Sequence, residues 1–82
     1  MTKSKLKIMR EKAEWTVEEL AEKAAWYQDR KTPSLGVLMH FQRSIRIIEG
    51  ENVVGPKPRK TYEYKNIAQA LKCSVEVIYG NE

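Results

Sequence analysis

The chain has 82 residues, one cysteine and a formal charge of +4. That is enough for one domain spanning 1–82, near the lower limit for a core that holds without staples, and it excludes an internal disulfide. No run of about eighteen apolar residues and no leader pattern occurs, so a membrane span and ordinary secretion are excluded and a cytoplasmic, reducing setting is expected.

The charge is uneven. Residues 1–14 sum to +3, 15–29 to −3, 30–60 to +5 and 61–82 to −1. The +5 segment suits either a polyanionic partner or a lysine-rich solvated surface.

In chain order, Leu6, Met9 and Ala13 form an apolar face that predicts a first helix over Ser4 to Lys12. Thr16 and Glu19 have the spacing of a capping box for the second helix, with Trp15 and Leu20 at hydrophobic-staple positions. Glu18 and Glu19 favour the positive end of that helix dipole. The apolar stripe Val17, Leu20, Ala21, Ala24 runs on to Tyr27 or Gln28, and Pro33 disfavours helical geometry at Thr32, so this helix should end by Lys31. Thr32 is expected to cap the third helix, with Pro33 in its first turn. Leu35, Leu38, Phe41, Ile45 and Ile48 recur at helical spacing, and Gly50 should terminate the helix after Glu49.

Glu51 to Lys60 holds a glycine and two prolines and is expected to be loop. Tyr64, Ile67, Ala68 and Leu71 predict a fourth helix over Thr61 to Leu71, and Ser74 should cap a short fifth helix through Ile78. Cys73 is expected to be a small residue in the tight turn between them. No strand-like alternation and no internal repeat is present. The fold class is all-α, a bundle of five helices.

Four segments in this order resemble the lambda-repressor-like (Xre-type) helix-turn-helix family. Met9-Arg10-Glu11-Lys12 resembles the end of the family's first helix, and Trp15 to Ala24, with its Leu20-Ala21 pair, resembles the second. Ser44 to Glu49 is similar to the back of the recognition helix, and Ala68 to Gly80 to helices four and five. The resemblance implies that helix three lies in the major groove of double-stranded DNA while helix two crosses the backbone. Carried over by position, the reading side chains would be Gln42, Arg43, Ser44 and Arg46. Arginine can bond two acceptors of guanine and glutamine can do the same for adenine, each good pair giving about 1–3 kcal/mol of discrimination. Lys57, Arg59 and Lys60, in the following loop, would hold phosphates. The alternative is that Gln42, Arg43 and Arg46 are only the wet face of an amphipathic helix. The resemblance also implies an ion pair between Arg10 and Glu49, tying helix one to the end of helix three.

Two departures from the family pattern stand out. Val17 occupies the position where the family commonly has a DNA-contacting glutamine. Ala25 and Ile45 are about fourteen residues further apart than the family's tight turn permits. The periodicity assigns the extra residues to lengthened helices two and three, an insertion over 26–40 forming a helical hairpin with its tip near Arg30 to Pro33. Leu35 and Leu38 are expected to pack within the hairpin. Trp26, with Tyr27 and Met39, is a candidate contact for a second copy or another protein.

His40 and Cys73 are the only histidine and cysteine, without the spacing of a metal site, and no glycine-rich phosphate loop occurs. No cofactor, no metal and no enzymatic activity are expected. Two functions follow from the resemblance. One is a bacterial or phage transcriptional regulator, a repressor binding an operator as a dimer. The other is a protein-interaction module, such as an antitoxin or a modulator of another regulator, on a helix-turn-helix fold that has lost ordinary DNA docking.

Overall fold

In the computed structural model, which describes residues 4–80 apart from the Asp29 side chain, five helices follow one another: α1 Lys5–Lys12, α2 Val17–Asp29, α3 Leu35–Ile48, α4 Lys65–Ala70 and α5 Val75–Ile78. A widened helical turn, Lys60–Tyr64, runs directly into α4. Among the described residues there is no strand, and the all-α bundle expected from periodicity is the fold. Lys3 of the basic opening segment and residues 81–82 lie outside the described residues.

The helix starts are set by side chains. Ser4 Oγ accepts from the Lys7 amide at 3.1 Å. At α2 both halves of the expected capping box form: the Glu19 amide donates to Thr16 Oγ1 at 3.1 Å and the Thr16 amide to Glu19 Oε1 at 2.8 Å. Leu20 is fully buried and Trp15 packs against the core, as the staple requires. The start of α3 differs from expectation. Ser34, not Thr32, is the cap, its Oγ accepting from the Val37 amide at 3.3 Å. Serine is the better cap, and Pro33 holds Thr32 away from helical geometry, so both residues stay in the connection. Ser74 stands at the cap position of α5, but its hydroxyl makes no capping bond.

Three helix ends share one device. After α1, α3 and α4 the left-handed residue is Glu14 (φ 59°), Gly50 (φ 82°) and Lys72 (φ 56°). In each, a pair of bonds closes a Schellman motif, for example Cys73 N–H to the Ala68 carbonyl at 3.0 Å and Lys72 N–H to the Gln69 carbonyl at 3.1 Å. The strained position of the last turn is therefore Lys72 and not Cys73.

Leu6, Leu20, Phe41, Ile45, Ile67 and Ile78 are the largest fully buried side chains. Ala21, Ala24 and Ala25 on α2 and Ala68 and Ala70 on α4 are buried beside them, small enough for α2 to pack closely against both α3 and α4. Helix α1 packs on α5, and the Lys5 amide donates to the Gly80 carbonyl at 2.9 Å.

Candidate nucleic-acid interface

Helix α3 turns Phe41, Ser44 and Ile45 into the core. At 3.6 residues per turn, the opposite side carries Leu35, Met39, Gln42, Arg43 and Arg46 as one stripe. The stripe is apolar toward the hairpin tip, where Leu35 is 72% and Met39 52% exposed, and cationic toward Glu49.

The four candidate reading residues do not share one environment. Arg43 is exposed and has no ion pair or hydrogen bond among the described residues. Its aliphatic stem lies against Gly55 of the following loop, where an added Cβ would come within 2.5 Å of Arg43 Cδ. Gln42 is half-buried. Arg46 is tied to α2 through its Nη2, 2.7 Å from Glu18 Oε2. Glu18 is itself more than half exposed, so this pair is a surface contact that a competing phosphate can open. Ser44 is a correction to the expected set: it is 3% exposed and its hydroxyl donates to the His40 carbonyl at 2.9 Å. Its position one residue before Ile45 and three after Phe41 puts it on the buried stripe, and it is small enough to stay there.

The loop cations also differ among themselves. Lys57 is exposed, without a partner among the described residues, and lines a shallow pocket with Ile47 and Pro58. Arg59 is the N-cap of the widened turn, its guanidinium 5.0 Å from the Tyr62 ring centroid. Lys60 belongs to the helix rather than to the loop, its ammonium 4.1 Å from the Tyr79 ring centroid. Gly55 against Arg43 and Ile47, and Lys57 beside Ile47, bring Arg43 and Lys57 to one side of α3.

Behind this surface lies a cluster with no signal in the sequence. Glu63 is 3% exposed; it accepts from the Arg59 amide at 3.0 Å, and its other oxygen is 2.9 Å from His40 Nε2. Burial pushes the Glu63 carboxyl up, but the Arg59 amide, its own amide, the His40 ring and the Arg59 guanidinium together hold it below the ordinary carboxylate range. The His40 ring stacks on Tyr62 at 5.9 Å. The cluster joins the middle of α3 to the start of the fourth helical segment, across 23 residues of sequence.

The Arg10–Glu49 pair implied by the resemblance is formed. Arg10 Nε and Nη2 donate to the two Glu49 oxygens at 2.8 and 2.9 Å, and Nη1 donates to the Trp15 carbonyl at 2.9 Å. The Glu49 side chain is 1% exposed. Its hydrogen bond raises the Arg10 guanidinium above the usual range, against the opposing pull of burial. The bidentate geometry fixes the C-terminal end of α3 relative to α1.

In the hairpin, Leu38 and Tyr27 pack against the core, as does Val37. Leu35 does not pack within the hairpin as expected. With α3 beginning only at Leu35, the residue lies in its first turn at the open edge of the outward stripe. Trp26 is 44% exposed. Cys73 is a partly buried free thiol whose pKa burial pushes up. Among the described residues, no group of three or more His, Cys, Asp or Glu is placed to hold a metal, and no helix is long and apolar enough to cross a membrane. No family model, no curated protein and no solved structure matches the chain.

Proposed function

We propose that the protein is a small, cytoplasmic, sequence-specific DNA-binding regulator of the Xre type, a repressor that engages its operator as a dimer. The observation that carries this reading is the outward stripe of α3, where Arg43 is exposed between the partly exposed Gln42 and Arg46 and has no competing partner among the described residues. Arginine and glutamine on one helical face match the acceptor and donor patterns of guanine and adenine in the major groove. In this reading the exposed Lys57 and Arg59, the latter also in a 3.4 Å contact with Glu63, would hold phosphates and fix register, and the anchored end of α3 supplies the rigidity such docking needs. The expected set is now narrower: Ser44 drops out, and Lys60 is partly engaged by Tyr79.

The test is retention of duplex DNA across a salt series. A binder of this kind weakens linearly on a log–log plot, with a slope of about −0.9 per phosphate neutralised. Lys57→Ala should reduce that slope by about one unit, and Arg43→Ala should flatten the preference among duplex sequences. Ser44→Ala should leave both unchanged. No retention even at low salt sinks the proposal.

A second reading is a protein-interaction module, an antitoxin or modulator. It is favoured by the exposure of Leu35 and Met39 on the same stripe, which a partner helix could cover.

A further inference from the structure

Both tryptophans of the chain open onto one cleft of about 650 Å³, formed along α2 and closed by the start of α3 and the end of α4. That size falls within the range of about 300–1,000 Å³ typical of small-molecule sites. The cleft has two chemically distinct parts. Toward the hairpin tip its walls are Trp26, Tyr27, Pro33 and Leu38, with the Trp26 and Tyr27 rings edge to face at 5.2 Å. Toward the start of α2 it is cationic: the Lys23 ammonium stands 4.8 Å from the Trp15 ring centroid, and Lys72 reaches in from the turn after α4. Among the described residues Glu22 is the one carboxylate lining it.

The electron-rich ring faces already hold cations from the chain itself. Lys23 covers Trp15, and the Arg30 guanidinium lies 5.8 Å from Trp26 and 5.4 Å from Tyr27. A cationic guest would have to displace both. An anionic guest gains from them. We infer that this cleft binds a small aromatic carboxylate, its rings against Trp26, Tyr27 and Leu38 and its acid group between Lys23 and Lys72. The inference stands whether or not the chain binds DNA, because none of these residues lies on the outward stripe of α3. If it does bind DNA, the site provides a ligand input within a domain of this size: Leu38 and Pro33 belong to the same hairpin as Leu35 and Met39.

The experiment compares 2-naphthoate with 2-naphthamide, which share a ring system and differ in charge. Binding is followed by amide and indole N–H signals of the labelled full chain, in which Trp15 and Trp26 give the two indole resonances. Naphthoate should shift the Trp26 indole saturably with a Kd of about 1 mM, as expected for a fragment of this size. Naphthamide should bind about tenfold more weakly, which is the worth of one charge-assisted contact. The Lys23→Gln/Lys72→Gln variant changes two exposed side chains and should bind both compounds alike. Absence of a saturable shift overturns the assignment, and so does equal affinity of the wild-type chain for the two compounds. Shifts centred on Gln42 to Arg46 would also overturn it, since naphthoate would then only be finding exposed arginine.

Discussion

Replacing Arg10 with methionine should cost a large share of the protein's stability. The substitution keeps most of the aliphatic stem but removes three donors, two to the Glu49 carboxylate and one to the Trp15 carbonyl. Glu49 is left with its side chain 1% exposed and no counter-charge. Stranding a buried charge costs about 3–5 kcal/mol. For a chain of 82 residues the whole stability is of order 4–12 kcal/mol, so the variant should be marginal. At about 4–8 °C per kcal/mol for a domain of this size, the loss in Tm should be at least about 12 °C. Thermal unfolding followed by helical circular dichroism measures it. The companion variant Arg10→Met/Glu49→Leu removes both charges and should recover to within about 1 kcal/mol of wild type, since a well-packed apolar pair can replace a buried ion pair without loss. A cost below about 1 kcal/mol for Arg10→Met alone would place the pair among ordinary surface bridges and refute the burial argument.

Two further outcomes concern stability. Glycine at the left-handed positions, Glu14→Gly or Lys72→Gly, should each stabilise the fold by about 0.5–1 kcal/mol in urea titrations, because the strain of a Cβ at φ near +57° exceeds the entropy that glycine loses. Loss of stability in both would mean that these turns tolerate a side chain at no cost. Glu63→Gln should destabilise by about 1–3 kcal/mol at neutral pH through weakened bonds to His40 and the Arg59 amide. Because the folded Glu63 pKa lies below its unfolded value, the wild-type advantage is fully present above the ordinary carboxylate range and is lost as pH falls through the folded pKa. Urea midpoints of the two proteins should therefore converge in acid; a constant gap down to about pH 3 would show that the ionised form contributes nothing.

The helix starts were legible where a side chain announces them. Thr16 with Glu19 is a local pattern, and the structure forms both of its bonds. Thr32-Pro33 offered an equally local pattern, but Ser34 two residues on competed for the same role and won. The ends at Lys12 and Ile78 fell where expected, but the left-handed residue that follows a helix was legible only where it is glycine, as at Gly50; Glu14, Arg30 and Lys72 take that geometry without it. At the candidate site, periodicity alone separates Ser44 from Arg43: the positions of Phe41 and Ile45 already put Ser44 on the inner side. The bond from Arg46 to Glu18 and that between His40 and Glu63 span 28 and 23 residues, and nothing near any of the four residues marks its partner. The aromatic cleft had a weak sign, the concentration of Trp15, Trp26 and Tyr27 around one helix, but its second wall comes from Ala70 and Lys72 at the far end of the chain.

The bond from the Lys5 amide to the Gly80 carbonyl makes the polypeptide enter and leave the bundle at one spot. Such a unit can be spliced into an exposed loop of a host protein without prising the host's strands or helices apart. It can equally be rewired, joining residues 4 and 80 by a short linker and opening new ends within 51–57. A rewired chain that still melts cooperatively would establish that the order of connection, as distinct from the packing of α2 on its neighbours, is dispensable.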